Sequence, residues 1–304
     1  MGVQGATARP DPHLSATGIP ARRRFVDIDQ GQVHVRCAGA GRPGAPLVML
    51  HASPGSSKML EPLLLQFAAT RPVFAPDTLG NGDSSPPADD APALDVFVAA
   101  HCAAIDALGL GLVDLYGTHT GASIACEIAI RRPDRVRRLI LDGVSLYTEA
   151  ERAEMLRCHA PPVVPREDAG HLLWIWSFVR DAFLFWPWYK RDAAHARSVG
   201  LPDADALHDR FVEIAKTART YHLSYRAAIA YRKEPRLPLV RVPTLLACAS
   251  TDMLHVYLAR VAALMPQARC VTTPGFGDAE ATRETLATML DFLDAPDSPG
   301  GRTA

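Results

Sequence analysis

The sequence predicts an α/β fold with a mostly parallel sheet, and two observations lead to that prediction. Short apolar runs recur along the chain, and segments of helix length separate them, which is the pattern of parallel strands joined by crossover helices. The interval between Asp142 and Val242 is too long for one crossover helix. We therefore expect an eight-stranded, mostly parallel sheet flanked by helices, with a helical cap inserted after strand 6.

The individual strands follow from the apolar runs in chain order. Residues 25–28 and 33–37 flank the turn residues 29–31, and this arrangement predicts an antiparallel hairpin. The later runs, which we expect to form the other six strands, are residues 47–50, 72–75, 112–116, 139–141, 244–248 and 269–272. The segments of the insert that we expect to be helical are residues 150–156, 171–186 and 205–231.

The same pattern divides the chain into a core, a cap and two termini. Residues 1–23 are rich in Pro, Gly, Ala and Arg, and residues 295–304 are similarly poor in apolar side chains, so both ends are predicted to be disordered. The predicted divisions are an arm at 1–23, a core at 24–144 and 238–294, a cap at 145–237 and a tail at 295–304.

Composition indicates an ordinary globular protein. The chain has 304 residues, is 48% hydrophobic, and carries 32 basic and 33 acidic side chains that are dispersed along it. Neither nucleic acid nor an anionic membrane is therefore an expected partner.

The sequence also predicts the compartment of the protein. Residues 172–189 are the most hydrophobic window, but Arg180, Asp181 and Pro187 interrupt it, so it is not expected to span a bilayer. The six cysteines form no C-x-x-C pair, and residues 1–23 lack the apolar stretch of a signal peptide. We therefore predict a cytoplasmic protein.

The most informative motif is Gly117-Thr118-His119-Thr120-Gly121, which lies between an apolar run and a helical segment. It has the G-x-S-x-G frame of a nucleophile elbow, in which glycines allow a sharp turn from strand to helix. The central position ordinarily holds a nucleophilic serine, cysteine or aspartate. Here it holds His119, so the chemistry of the site must differ.

Two further motifs accompany the elbow. Residues 51–55, His-Ala-Ser-Pro-Gly, resemble the HG-x-P oxyanion loop with Ala52 in place of glycine, and residues 77–84 fit the pattern D-x-x-G-x-G-x-S. With three motifs in order, the chain resembles the α/β-hydrolase fold superfamily over nearly all of its length apart from the arm and the cap. It resembles an atypical member, because the elbow carries a histidine.

The resemblance implies an acid after strand 7 and a histidine after strand 8. Asp252 stands in the first position, whereas Asp278 stands where the histidine belongs. We therefore expect Asp278 to hydrogen-bond His119 at about 2.6–3.2 Å, to fix its tautomer and to raise the basicity of the other ring nitrogen. Asp252 is then expected to support the loop of Asp278 or to be a relic bonded to backbone N–H groups.

The resemblance also implies a backbone oxyanion hole, formed by the N–H groups of Ser53 and Thr120. The Ser53 hydroxyl is either a loop cap, which is the commoner role, or a nucleophile. His51 is expected to support the loop, and Asp77 to stabilise a turn. His255 is expected to be a surface histidine, with a second general base as the alternative.

The predicted function follows from these residues and from the many aromatic side chains at 174–189. We expect a small apolar or aromatic substrate under the cap, and hydrolysis of an ester or carbonyl compound by water that His119 activates. The alternatives are a cofactor-independent lyase or isomerase with His119 as base, and a non-catalytic ligand-binding homologue. No dinucleotide, P-loop or H-E-x-x-H motif is present, so neither a cofactor nor a metal is implied. A homodimer is possible on this sequence.

Overall fold

A computed structural model describes residues 18–296 of the protein. Most of the predicted arm and tail therefore lie outside the described residues. The arm prediction is wrong at residues 22 and 23, because the first strand already begins at Arg22, which pairs with Cys37. The arginines are compatible with a strand here because the strand lies at the edge of the sheet, where charged side chains reach solvent.

Within residues 18–296 the sheet has eight strands. They are β1 (Arg22–Ile28), β2 (Gly31–Ala38), β3 (Leu47–Leu50), β4 (Val73–Pro76), β5 (Val113–Thr118), β6 (Val136–Asp142), β7 (Thr244–Ala249) and β8 (Arg269–Thr273). Their order in the sheet is β1-β2-β4-β3-β5-β6-β7-β8. β1 pairs antiparallel with β2, β2 pairs antiparallel with β4, and every later pair is parallel. The predicted sheet is confirmed.

Strand β3 illustrates why continuous apolar runs form these strands. Val48 and Leu50 belong to one apolar cluster, whereas Leu47 and Met49 belong to another, because successive side chains of a strand point to opposite faces. All four side chains are 0% exposed. Both faces of the sheet are therefore covered, and polar side chains are excluded from the middle of the strand.

Helices flank the sheet and fill the long interval between β6 and β7. In the described residues they are α1 (Glu61–Phe67), α2 (Leu94–Ala107), α3 (Thr120–Arg131), α4 (Glu149–Cys158), α5 (Gly170–Leu184), α6 (Ala204–Ala215), α7 (Tyr221–Ala230), α8 (Leu258–Leu264) and α9 (Ala279–Asp294). We call α4–α7 the insert. No helix within residues 18–296 has both the length and the apolar character needed to cross a membrane.

The predicted helical segment 205–231 is interrupted, since α6 and α7 are separate helices. The Thr217 hydroxyl donates to the carbonyl of Glu213 at 3.2 Å, and the Thr220 hydroxyl donates to the carbonyl of Gly80 in the core at 2.7 Å. Threonines that bond backbone carbonyls compete with helical hydrogen bonding. The bond to Gly80 also fixes the turn between the two helices against the core.

The insert packs on the core through α7. Leu223 and Ala227 of α7 belong to the same apolar cluster as Ile124 of α3, whereas Phe178 and Tyr221 belong to a separate cluster within the insert. The insert therefore has apolar packing of its own and is also attached to the helix that follows the elbow. The proposed division into a core and a cap at residues 145 and 237 stays a prediction.

Candidate active site

The elbow joins β5 to α3 through a single residue, His119. Its backbone has φ 51° and ψ −106°, a positive φ that costs a non-glycine residue about 1–3 kcal/mol. The flanking glycines are required by close packing. A Cβ on Gly121 would lie 2.1 Å from the carbonyl oxygen of Leu50, and one on Gly117 would lie 2.4 Å from the carbonyl oxygen of Gly121. The turn is therefore tightly determined by its surroundings.

The partner of His119 is Asp252. Nε2 of His119 lies 2.9 Å from Oδ2 of Asp252, and Oδ1 of the same carboxylate accepts from the N–H of Leu254 at 2.7 Å. Asp252 follows β7, whose carboxyl end lies at the same sheet edge as the elbow. Asp252 is therefore neither a relic bonded only to the backbone nor a support for the loop of Asp278.

The expected pair of His119 with Asp278 is wrong. Asp278 is exposed and begins α9, where its side chain accepts from the N–H groups of Glu280 and Ala281, both at 2.9 Å. The first N–H groups of a helix have no helical partner, and an aspartate at the N-cap satisfies them. The position after β8 therefore serves helix capping and leaves Asp278 without contact to the imidazole.

His119 and Asp252 shift each other's pKa values through their charges and their hydrogen bond. Burial by itself lowers the pKa of His119, but the charge of Asp252 and its hydrogen bond outweigh burial and raise the pKa above the ordinary 6.5. Burial raises the pKa of Asp252, but the charge and hydrogen bond of His119 bring it below the ordinary 3.8. When Nε2 donates to the carboxylate, the lone pair of the neutral ring is on Nδ1. Within residues 18–296 Nδ1 has no hydrogen-bond partner.

The sequence did not reveal a second carboxylate in the site, Asp142. It ends β6 in register with Thr118 of β5, and its Oδ2 accepts from the Tyr116 hydroxyl at 2.7 Å. Burial raises the pKa of Asp142 to about 6, helped by the charge of Asp252 and opposed by Tyr116 and His119. The position of Asp142 in the sequence could have revealed it. A polar residue at the carboxyl end of a strand beside the elbow strand lies at the same sheet edge as the elbow.

Gly143, the next residue, provides the space for the imidazole. A Cβ built on Gly143 would lie 2.6 Å from Cδ2 and 2.8 Å from Nε2 of His119. The backbone of Gly143 has φ +69°, which also favours glycine. The ring is therefore held between this glycine and Asp252.

His51 supports the loop at residues 51–55, as predicted. Its Nε2 accepts from the N–H of Thr78 at 2.9 Å, so Nδ1 carries the proton and donates to the carbonyl of Ala52 at 2.8 Å. Burial lowers the pKa of His51, which favours this neutral form. The Ser53 hydroxyl lies 3.0 Å from the Ser224 hydroxyl of α7, and no histidine in the described part of the chain is bonded to it.

The turn at residues 77–84 is built around the Asp77 carboxylate, as predicted. It accepts from Nδ1 of His34 at 2.8 Å, the N–H of Ser57 at 2.7 Å and the N–H of Asp83 at 2.9 Å. Although burial raises its pKa, these bonds and the nearby histidines lower the pKa to about 2. His34, Asp77 and Asp83 have donor atoms within 4.8 Å of one another, but both Asp77 oxygens already accept hydrogen bonds, so we assign no metal there.

His255 contacts Thr272 through Nε2 at 2.9 Å and is not bonded to His119 or Asp252. This position fits the predicted surface role. Thr120, whose N–H is implied in the oxyanion hole, is the first residue of α3, where a backbone N–H has no helical partner.

A cavity of about 580 Å³ lies between the elbow and the insert. His119, Asp142 and Asp252 line it from the core. On the insert side, α5 and the segment that follows form an apolar wall that includes Phe178, Val179, Phe183, Trp186 and Trp188. Four of the eight aromatic side chains at residues 174–189 therefore line this cavity, and an apolar ligand fits the wall that they form.

Comparison with known proteins identifies relatives of known activity. The family profile of the alpha/beta hydrolase fold matches residues 45–279. A 2-hydroxymuconate semialdehyde hydrolase from Pseudomonas sp. (strain CF600) is 44% identical over 103 residues, which are 33% of this chain and 36% of the relative. Haloalkane dehalogenase 2 from Mycobacterium tuberculosis is 28% identical over 157 residues, 51% of this chain and 52% of the relative. The chain thus matches about a third to a half of the length of these curated relatives.

Solved structures resemble the chain over a larger share. An epoxide hydrolase from Vigna radiata superposes with a TM-score of 0.70 at 19% identity, covering 92% of this chain and 99% of that one. The enol-lactonase from Burkholderia xenovorans LB400 has a TM-score of 0.68 at 18% identity, covering 90% and 100%. At these identities the likeness concerns the fold.

Proposed function

Because the chain belongs to the alpha/beta hydrolase family, we propose that it hydrolyses a small, largely apolar ester or related carbonyl compound in the cavity beneath the insert. The observation that supports this most directly is the contact of 2.9 Å between Nε2 of His119 and Oδ2 of Asp252 at the floor of that cavity. The matched relatives include hydrolases of several substrates, which is compatible with this reaction class.

His119 acts as the general base in this proposal. Nδ1 takes a proton from a water molecule as the water oxygen attacks the carbonyl carbon, and the carbonyl π electrons move to its oxygen. When the tetrahedral intermediate collapses, the C–O bond to the leaving group breaks, and the proton on Nδ1 passes to the departing oxygen. The products are a carboxylic acid and an alcohol, and the imidazole returns to its neutral form.

Asp252 is the positioning residue for His119. It accepts from Nε2–H, which keeps the lone pair on Nδ1, and its charge stabilises the imidazolium that forms during the reaction. Asp278 has no part in this step, since its carboxylate caps α9. Asp142 lies close enough for its charge to affect both members of the pair.

The N–H groups of Ser53 and Thr120 are proposed to stabilise the negative oxygen of the intermediate. The insert is proposed to act as the cap that keeps bulk water from the carbonyl. The Ser53 hydroxyl is a weaker nucleophile candidate than water, because it is bonded to Ser224 and no histidine of residues 18–296 is bonded to it.

The experiment is a steady-state assay with 4-nitrophenyl butanoate on the wild type, His119→Ala and the control His255→Ala. His119→Ala is expected to lower kcat by about 100- to 10,000-fold, the usual contribution of a positioned base. His255→Ala removes a histidine that contacts Thr272 instead of the pair and is expected to keep the wild-type rate.

Two results would contradict the proposal. One is a wild type that does not hydrolyse such esters, and the other is a His119→Ala variant with full kcat. A burst of nitrophenolate equal to the enzyme concentration would instead mean that a covalent acyl-enzyme forms, with the imidazole or the Ser53 hydroxyl as the nucleophile. Water attack predicts no burst.

A further inference from the structure

Arg210 of α6 is a cation in the catalytic cavity with no carboxylate partner. Its Nη1 lies 3.2 Å from Sδ of Met59 and 3.0 Å from the position that a Cβ would take on Gly55 of the oxyanion loop. Within residues 18–296 no carboxylate oxygen lies within 4.0 Å of its side-chain nitrogens. The guanidinium therefore lies beside the oxyanion loop, and its hydrogen-bond partner is a thioether, which is a weak acceptor.

Three arginines with buried side chains are paired with carboxylates. These pairs are Arg36 with Glu61 at 2.8 Å, Arg71 with Asp114 at 3.2 Å, and Arg152 with Glu149 at 3.0 Å. Glu213, three residues after Arg210 on the same helix, is bonded to Ser56 and Lys216 instead. A charge withdrawn from water is costly unless an opposite charge or hydrogen bonds compensate it. Arg210 thus differs from the paired arginines in facing an open cavity.

Burial lowers the pKa of Arg210 below its ordinary value, and the nearby Tyr225 and Glu213 oppose this effect. Arg210 has five N–H donors and no acceptor of its own, and a carboxylate matches two of these donors at once.

Tyr225 of α7 lines the same cavity and provides a second donor. Its hydroxyl lies 2.6 Å from Nε2 of His159, and Nδ1 of His159 is buried without a hydrogen-bond partner in the described residues. Burial lowers the pKa of His159 to about 3, so the ring is neutral. A buried N–H without a partner is rarer than an unpaired acceptor. Nε2–H therefore donates to the tyrosine oxygen, which leaves the Tyr225 hydroxyl proton free for a ligand.

We propose that Arg210 and Tyr225 form a carboxylate subsite, and that the substrate is an amphiphilic acid whose apolar body contacts Phe178, Phe183 and Trp186. The carboxylate accepts two hydrogen bonds from the guanidinium and one from the tyrosine. Asp142 and Asp252 lie on the core side of the cavity and repel the carboxylate of the substrate. This repulsion orients the anionic end of the substrate toward Arg210. This inference deepens the proposed hydrolysis and rests on it for the role of the cavity.

The test compares two ligands of nearly equal shape, 3-phenylpropanoate and its neutral amide 3-phenylpropanamide. Binding is followed at pH 8 by the fluorescence of the cavity tryptophans Trp186 and Trp188. The wild type is expected to bind the carboxylate about 10- to 100-fold more tightly than the amide, the range for a hydrogen bond to a charged group. Equal affinity for the two ligands would overturn the proposal.

Substitutions test which residue causes the preference for the carboxylate over the amide. Arg210→Gln is expected to remove the preference for the carboxylate and to leave the affinity for the amide unchanged, whereas Arg210→Lys keeps the charge and part of the preference. Tyr225→Phe is expected to reduce the preference only in part. The matched control is Arg197→Gln, since Arg197 also lines the cavity but donates to the carbonyl of Ala182 at 2.7 Å. Loss of the preference in Arg197→Gln but not in Arg210→Gln would overturn the assignment.

Binding also separates this inference from the proposed reaction. His119→Ala is expected to keep the preference for the carboxylate although it loses turnover. A wild type that prefers the carboxylate but hydrolyses no ester would contradict the hydrolysis and leave the subsite standing. A wild type that hydrolyses esters but shows no preference would contradict the subsite alone.

Discussion

The substitution Gly143→Ala tests whether the position of the His119 ring depends on one missing side chain. The added Cβ would lie 2.6 Å from Cδ2 and 2.8 Å from Nε2 of the imidazole, so the ring must move. Movement of the ring lengthens or breaks its hydrogen bond of 2.9 Å to Asp252. A displacement of about 1 Å at a reacting group costs roughly 100-fold in rate, which is the loss expected in kcat.

The backbone contributes a separate cost that needs its own control. Gly143 has φ +69°, and an alanine in that conformation loses about 1–2 kcal/mol of stability. Gly109 has φ +70°, and a Cβ there would meet nothing within 4 Å. Gly109→Ala thus reproduces the backbone strain of Gly143→Ala without the collision with the imidazole.

Urea unfolding and the 4-nitrophenyl butanoate assay measure the two effects. Both variants are expected to lose similar free energy of unfolding from strain, but only Gly143→Ala is expected to lose activity. Wild-type kcat in Gly143→Ala would refute the reasoning, because the imidazole would then work without its present position. An equal loss of kcat in Gly109→Ala would also refute it.

Three further predictions concern carboxylates at or near the site. Asp278→Ala should lose about 1 kcal/mol of unfolding free energy with the N-cap of α9 and keep kcat, as measured by urea unfolding and the ester assay. Asp142 has a pKa raised from 3.8 to about 6, so the folded state binds more protons than the unfolded state between these values. Stability should therefore fall as pH rises from 4 to 6, and Asp142→Asn should reduce that slope in urea titrations. Asp77→Ala leaves the buried His34 and the N–H of Ser57 without their acceptor and should cost about 3–5 kcal/mol, with thermal unfolding as the readout.

The fold could be predicted from the sequence because local signals determine most of it. Strand β3 occupies the same four residues as its apolar run, since a parallel strand covered on both faces excludes polar side chains. The elbow at His119 could also be located, because Gly117 and Gly121 mark a turn that only glycine permits. Thr217 and Thr220 interrupt a segment expected to be helical, and the bond from Thr220 to Gly80 could not be foreseen from the local sequence.

The partners of His119 could be predicted only in part, because side-chain pairing depends on tertiary contacts. Asp278 occupies the position expected for a catalytic side chain, but two local N–H groups bind its carboxylate. The sequence predicts a loop support or a relic at Asp252, which is instead the residue that contacts the imidazole. Arg210 has no motif of its own, and the packing of α6 over the loop at residues 51–55 brings it to the cavity.

The dependence of kcat/KM on pH tests the central claim, that His119 is a base held by Asp252. The base must be neutral, so kcat/KM should rise with pH through a midpoint above 6.5, the direction in which Asp252 shifts the pKa of His119. Asp252→Asn removes that charge while burial remains, so the midpoint should move to lower pH and the plateau should fall. Asp278→Asn should leave the profile unchanged. A profile that shifts in Asp278→Asn and stays fixed in Asp252→Asn would contradict the account.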